Sequence, residues 1–517
     1  MALFIAAIAI LIGSLFISNY QLADEVLKEV ISESQLPHFK QNIEEIKGRT
    51  YTSKFIFLND LDKVIQSTNT SINDYNQIGN QNLDNVSSID DYNAGEYKVK
   101  LTKKATQGIL TDHSLLMLWL TFGLGIIGAL LYIIPKIAKS PGIKNDHIFH
   151  SANTSGKGWI GYIIGGLLIL FYVLLYWYPQ YITEWILLMD PISYSLNGGE
   201  ASRWFFYGFL YTLAIVVMGV RMIIKYRHSK YHIIRTISVM FFQTAFAFLI
   251  PEILIRLNQP SMDLKNIWPL NYNFFYDYNL ESLLSSGNLG LFMLIWGILL
   301  IVLAVPLFSY FYGKRWYCSW VCGCGGLAET LGDPYRQLSD KSVKAWKIER
   351  WMIHGVLVFA IVMTSAVLYT FFTGSGSFLF MDSYTIRQVY GFLIGAAFAG
   401  VVGVGFYPFM GNRVWCRFGC PLAAYIGLVQ RFKSRFRITT NGGQCISCGN
   451  CSTYCEMGID VRWYAQRGQN IIRSSCVGCG ICSSVCPRGV LKLENGPEAG
   501  RFGAPILIGN KSITLEK

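Results

Sequence analysis

From about residue 113 to residue 410, long apolar stretches alternate with short charged loops. Seven runs of roughly 20 residues carry almost no charge, at 115–135, 159–177, 204–224, 236–255, 289–311, 351–372 and 391–410. Each is long enough to cross a bilayer as a helix. Residues 2–17 form one more apolar run. It lacks a basic leader and a small-residue cleavage site, so it reads as an uncleaved anchor, with a signal peptide as the alternative. The pattern predicts a polytopic α-helical membrane protein of about eight spans. Between Asn19 and Asp112 the chain turns polar. Apolar residues there have helical spacing over 21–46, and the rest of that segment is weakly patterned.

Charge then orients the spans. The basic residues cluster in alternate loops: Lys136, Lys139, Lys144 and Lys157; then Lys225, Arg227, Lys230 and Arg235; then Lys314, Arg315, Lys341, Lys344, Lys347 and Arg350. The intervening loops hold Glu184, Asp190 and Glu200; then Asp263, Asp277 and Glu281; then Asp382. Basic short loops stay in the cytoplasm. This places both termini inside and residues 19–112 outside, in a bacterial inner membrane. The net charge of +12 is accounted for by these loops, and no nucleic-acid partner is expected. Lys433, Arg435 and Arg437 read as facing lipid head groups.

Chemistry is concentrated late in the chain. All thirteen cysteines lie between Cys318 and Cys486, a distribution unlike a secreted disulfide scaffold. Two runs share the spacing C-x2-C-x2-C-x3-C: Cys445, Cys448, Cys451, Cys455, and Cys476, Cys479, Cys482, Cys486, the second followed by Pro487. This is the ligand spacing of a bacterial ferredoxin with two [4Fe–4S] clusters, in which the fourth cysteine of each run serves the other cluster. The expected ligand sets are Cys445, Cys448, Cys451 and Cys486, and Cys476, Cys479, Cys482 and Cys455. A zinc site would pair C-x2-C knuckles instead. Glu456 stands where the second run has Pro487, a change expected to alter the turn and the potential without removing a ligand. The expected divisions are an anchor at 1–18, an extracytoplasmic domain at 19–112, a transmembrane helical domain at 113–440, an α+β ferredoxin domain at 441–490 and a tail at 491–517.

A second cysteine pattern repeats within the membrane part. Gly313-Lys-Arg-Trp-Tyr-Cys318-Ser-Trp-Val-Cys322 and Gly411-Asn-Arg-Val-Trp-Cys416-Arg-Phe-Gly-Cys420 both read G-x-R-x-x-C-x3-C, each at the end of an apolar run. If helical, cysteines four apart share one face of a turn. Two copies at one membrane edge bring Cys318, Cys322, Cys416 and Cys420 together, with Cys324 as a fifth thiol. Such a group suits a further Fe–S cluster, a soft metal such as Cu(I), or reducible thiol pairs. The plainer alternative is that they pack as small apolar residues. Neighbouring arginines favour thiolate and a redox role, so these four are the candidate catalytic residues.

Other polar residues carry less. Only His354 lies in a span, and His228 and His232 sit in a basic loop and read as solvated, so haem is not expected. Glu252, inside a span with Arg256 one turn on, reads equally as part of a proton path or as a structural pair. Asp190 and Asp382 read as capping residues, and Trp177 and Tyr178 as interfacial belt residues.

Membrane spans, paired C-x3-C motifs and a two-cluster ferredoxin resemble the NosR/NapH/CcoG-type membrane polyferredoxins, over about residues 289–490. The family motif is usually followed by proline; Cys420-Pro421 keeps this and Cys322-Gly323-Cys324 does not. The resemblance implies electron transfer between the quinone pool and a redox partner protein, as in NosR- and NapH-like members. A CcoG-like member would instead reduce copper for oxidase assembly, and a redox sensor is a third expectation. CcoG-like members carry a further domain after the ferredoxin, where this chain has a short tail. NosR-like members carry a flavin attachment motif resembling S/T-G-A-S/T, and no such FMN motif stands between Asn19 and Asp112. A NapH-like carrier with an unusual outer segment is what remains.

Overall fold

The computed structural model describes residues 1–44, 46–78, 86–139 and 158–496. Lys144, Lys157 and all but the start of the expected tail lie outside the described residues. The described chain is mostly helical. Seven helices are long and apolar enough to cross a membrane: Ser114–Ala138, Trp159–Trp177, Arg203–Lys225, Lys230–Arg256, Gly287–Tyr312, Val343–Thr373 and Ser383–Gly405. The expected anchor forms a shorter apolar helix, Ala2–Phe16. Many apolar side chains on these helices stay exposed, including Leu131, Ile163, Val302 and Val362. That is the surface a helix keeps when lipid is its solvent.

Two compact units divide the chain. One comprises Met1–Tyr132 and Val173–Tyr207; the other comprises Ile133–Tyr172 and Gly208–Lys517.

In the first unit, the polar segment folds into helices Asp24–Val30, Leu36–Asn42, Lys54–Ile78 and Asp91–Ala105. Strands Asn19–Tyr20 and Thr106–Gln107 pair antiparallel across the ends of that segment. In Lys54–Ile78, Phe57, Leu61, Val64, Ile65 and Ile72 are all buried at helical spacing among polar neighbours. The acids at 178–202 are tied to this segment. Lys54 pairs with Glu184, which also accepts from the Tyr20 hydroxyl. Lys103 meets Asp190 at 2.7 Å, and Lys104 meets Glu200 at 2.6 Å. Asp190 is therefore no helix cap: its carboxylate accepts from Lys103 and from the Ala201 N–H. Asp382 does cap its helix, accepting from Thr385 N–H at 3.0 Å.

In the second unit, Arg387 meets Asp277 at 2.6 Å and joins two of the acid-bearing loops. Glu252 is half-buried and Arg256 exposed at the end of their helix. The ferredoxin part is closed by strands Arg437–Thr440 and Leu491–Glu494, paired antiparallel from Arg437 opposite Glu494 to Thr440 opposite Leu491. Arg435 does not lie free among head groups; its guanidinium sits 5.1 Å from the Tyr310 ring. One core runs from the apolar helices to the ferredoxin part, with Ala360, Val367 and Ile394 at one end and Met457, Val461 and Leu491 at the other.

Candidate functional site

The repeated motif adopts the same backbone twice. Gly313 and Gly411 both have positive φ, 63° and 91°. A side chain at Gly313 would also press on Gln430 Oε1 at 2.6 Å. Glycine therefore meets both demands. Cys318 closes the short helix Arg315–Cys318, and Cys416 lies in the π-turn Trp415–Gly419. The second cysteine of each pair begins a new helix, Gly323–Thr330 after Cys322 and Pro421–Lys433 after Cys420. Cys322 N–H donates to Tyr317 O at 2.8 Å, and Cys420 N–H to Trp415 O at 2.9 Å. Each pair thus spans a corner between helices, and the expectation that it shares one face of a continuous helix is corrected. The corner follows from glycine or proline directly after the second cysteine, which starts a new helix.

Cys318, Cys322, Cys416 and Cys420 are all buried in the core just described, and Cys324 packs against it. Burial pushes the Cys318 thiol up to about 12. Cys322 and Cys324 share a hydrogen bond that favours the thiolate at Cys322 and keeps Cys324 protonated. The Cys420 sulfur accepts from Ala423 N–H at 3.4 Å. Arg413 Nη1 lies 3.6 Å from the Cys416 sulfur and 3.3 Å from Cys318 O.

The two ferredoxin runs are also built alike. Gly449 and Gly480 cap helices Asn450–Thr453 and Ile481–Ser484 with φ of 81° in both. Ile459 N–H lies 3.4 Å from the Cys455 sulfur, and Val490 N–H 3.4 Å from the Cys486 sulfur. One small cavity is lined by Cys445, Cys448, Cys451 and Cys486. A second is lined by Cys455, Cys476, Cys479 and Cys482. The structure therefore groups the eight thiols three and one from each run. Burial pushes the Cys451 and Cys476 thiols up to about 12. Thiol rings with sulfur-directed N–H groups fit a [4Fe–4S] cluster in each cavity.

Arg235, expected as a loop cation, turns out to be structural, as do two further arginines. Arg235, Arg336 and Arg413 are among the most buried side chains of the chain. Arg235 pairs with Glu329 at 2.7 Å and donates to Cys479 O. Arg413 bonds the same Glu329, and its Nε lies 3.1 Å from Glu456. Arg336 reaches Glu456 at 2.7 Å and Asp333 at 3.3 Å. Asp333 also holds Arg221 and Lys225, at 2.7 and 2.6 Å. Burial alone would raise Asp333 and Glu456, but the surrounding cations outweigh it and hold both below the usual carboxylate range. This network links the C-x3-C corners to the second ferredoxin site. Its members lie far apart in sequence, and no local pattern announces them. His232, expected in solvent, is buried too. It stacks 4.9 Å from the Tyr226 ring and bonds Ser229, while His228 is exposed. His232 helps seat the ferredoxin part through Ser484.

The family described as "4Fe-4S binding domain" matches residues 294–347 and 391–439, which hold the two C-x3-C motifs. The family described as "4Fe-4S dicluster domain" matches residues 444–491. The chain is similar to the putative electron transport protein YccM of Escherichia coli (strain K12), 27% identical over 29% of this chain and 43% of that protein. It is similar to the methylamine utilization ferredoxin-type protein MauN of Paracoccus denitrificans (strain Pd 1222), 29% identical over 30% of this chain and 52% of that protein. MauN of Methylorubrum extorquens is 26% identical over 39% of this chain and 66% of that protein. The chain thus spans about half the length of the first two relatives it matches. No solved structure matches it. Iron–sulfur families matched over both cysteine patterns, joined among the described residues to seven apolar helices of membrane-spanning length, fit a membrane polyferredoxin.

Proposed function

We propose that this polyferredoxin carries electrons between the quinone pool and a redox partner protein, in the manner of NosR- and NapH-like carriers. Cys445, Cys448, Cys451 and Cys486 hold one [4Fe–4S] cluster; Cys476, Cys479, Cys482 and Cys455 hold the other. When bound, each cluster supplies a one-electron redox centre whose potential is set by charge, hydrogen bonds and exposure. The observation that carries the reading is the single buried core containing both thiol groups. It starts among membrane helices and reaches Cys451, with Cys445 packed against it; Cys448 between them is the one exposed cysteine among the described residues. Cys318, Cys322, Cys416 and Cys420 form an intermediate station within it. A cubane also suits the thiols better than zinc. Among the described residues no three His, Cys, Asp or Glu side chains converge on a single ion. A zinc site would need four ligands within roughly 2.3 Å of one centre.

The ferredoxin part lies in the cytoplasm of a bacterial inner membrane, and residues 19–112 lie outside. Two sets of contacts support this sidedness. Acid-bearing loop 178–202 is paired with the 19–112 segment. Basic loops bearing Arg235 and Arg336 are bonded to the ferredoxin part. The decisive experiment exposes the purified chain, anaerobically, to a quinol and to a reduced ferredoxin in turn. A change in the cluster EPR signal with either is expected; silence with both refutes electron transfer.

A second reading is favoured by the four buried thiols at the C-x3-C corners and half-buried Cys324 beside them, since soft sulfur ligands select Cu(I). Here the chain reduces or passes on copper, as in CcoG-like proteins. Serine at Cys318, Cys322, Cys416 and Cys420 then abolishes copper reduction; unchanged reduction excludes this reading.

A further inference from the structure

A cavity of about 740 Å³ lies beside one end of the membrane-length helix Val343–Thr373. Three segments far apart in sequence build its wall. The helix supplies Trp346, Arg350 and His354, whose spacing of four puts them on one face. Helix Pro421–Lys433 supplies Arg431 and Phe432, and the segment leading to Cys476 supplies Arg473.

The cavity gathers positive charge with nothing to answer it. Arg350, Arg431 and Arg473 converge on it, and no acid stands on its wall. Among the described residues none of the three makes an ion pair, and neighbouring Glu349 is committed to Arg417 at 2.7 Å. Trp346 holds two of them: the guanidinium of Arg350 sits 5.3 Å from its ring, and that of Arg473 4.6 Å. An aromatic face orients a guanidinium without cancelling its charge. Like charges held together in this way repel one another until an anion sits among them. Arginine forks suit the oxygens of a phosphate above all.

The rim is of the opposite kind. Trp351 is 84% exposed and Phe432 71%, and Ile472 is exposed beside them. Trp351 directly follows Arg350 and opens the apolar run 351–372. A cationic wall thus meets an apolar lip where a span begins. A free phosphate would need only the wall; a phosphate that carries acyl chains uses both.

We propose that this cavity seats an anionic phospholipid. Its phosphate accepts from Arg350, Arg431 and Arg473, and its acyl chains run along Trp351 and Phe432. The lipid joins a membrane helix to the segment three residues ahead of Cys476.

Native mass spectrometry tests this on the purified full-length holoprotein in a non-ionic detergent, with phosphatidylglycerol, phosphatidylcholine and inorganic phosphate as probes. Phosphatidylglycerol is expected to bind about thirtyfold more tightly than phosphatidylcholine, and excess inorganic phosphate to leave it bound. Arg350→Gln with Arg431→Gln brings the two lipids to near parity. Lys344→Gln with Lys347→Gln removes as much charge from the same helix, off the cavity wall, and changes the preference by no more than about twofold. If the arginine double variant loses its clusters, Arg350→Gln alone decides, with an expected loss of about fivefold. Parity in the wild type would leave the patch to an acidic protein surface, and displacement by inorganic phosphate would make it a free-anion site. Either result overturns the lipid site, as does an equal loss in the lysine variant or unchanged affinity in the arginine variants.

Discussion

The loop of Cys445, Cys448 and Cys451 and the loop of Cys476, Cys479 and Cys482 share positive φ at two equivalent places, 447 and 478, 449 and 480, yet the two have different surroundings. Cys448 is exposed and Cys445 half-buried, while Cys476 and Cys482 are buried. The second loop is gripped by the rest of its unit. Tyr231 donates to Gly478 O at 2.8 Å, Ser319 to Val477 O at 2.8 Å, and Gln430 to Cys476 O at 2.9 Å. Among the described residues the first loop has no comparable ties; Gln466 donates to Ser447 Oγ at 2.7 Å at its exposed edge. Equal ligand spacing thus says what each site holds, and unequal surroundings say what each site meets. On the proposed function, the second site exchanges electrons with the C-x3-C corners and the first with a partner in solution.

Removing the crossed ligands has the largest expected effect. Cys455→Ala, though in the first run, removes the buried site, and Cys486→Ala removes the exposed one. Iron falls from about eight to about four per chain in each case. Only Cys486→Ala leaves the centre that is slow to react with ferricyanide, as judged by EPR. If instead each substitution abolished the centre of its own run, the crossed assignment would be wrong.

Glu456 comes next. The second run has Pro487 at this place, so Glu456→Pro makes the two runs more alike in sequence. It should nonetheless destabilise the protein. Glu456 is fully buried between Arg336 and Arg413, and removing it leaves both guanidinium groups short of a counter-charge. The cost is about 3–5 kcal/mol, read as a fall in the thermal midpoint of the holoprotein. Glu456→Gln isolates the charge. Because the folded state holds this carboxyl below its ordinary value, its contribution is complete above the unfolded value of about 4.3 and fades as pH falls through the folded one. The gap between wild type and Glu456→Gln should stay level from about pH 8 to 5 and narrow below about 4. A gap that widened on acidification would contradict the pairing.

What could be read in the chain itself was whatever repeats at short range. Apolar runs placed the seven long helices to within a few residues at most ends, because a helix in lipid needs an unbroken apolar sequence. Cysteine spacing marked the thiols, and G-x-R-x-x-C-x3-C marked the corners. Helices Lys54–Ile78 and Asp91–Ala105 are only weakly marked in the sequence because aqueous solvent lets the exposed face carry almost any polar residue. Arg235 reads as a loop cation, and nothing local marks Arg336 or Arg413 as buried, since their partners Glu329 and Glu456 are remote in sequence and a lone arginine looks the same paired or free.

Gly478→Ser probes the grip on the second loop. Gly478 has φ of 63°, and an added Cβ would stand 2.7 Å from Arg315 Cβ and 2.9 Å from Phe436 Cζ. Left-handed strain of roughly 1–2 kcal/mol and overpacking of roughly 1–3 kcal/mol both act, for a cost near 3 kcal/mol. The thermal midpoint should fall accordingly, with the second cluster lost before the first on heating. Equal loss of the two would mean that the grip does not distinguish them.

The reverse substitution should do least. Ser447 occupies the equivalent place in the first loop and already has positive φ, 60°. It carries the same left-handed strain, about 1–2 kcal/mol, but meets no gripping wall. Ser447→Gly releases that strain. Against it stand the greater freedom of glycine in the unfolded chain, roughly 0.5–1 kcal/mol, and the lost bond from Gln466, about 0.5 kcal/mol at an exposed position. The terms nearly cancel, so the expected change in stability is within about 0.5 kcal/mol, with cluster content unaltered. The contrast matters more than the value. Serine and glycine exchange almost freely where the loop faces solvent and not where it faces the membrane unit. A Ser447→Gly protein as unstable as Gly478→Ser would show that backbone shape alone, rather than what packs on it, sets the demand for glycine in both loops.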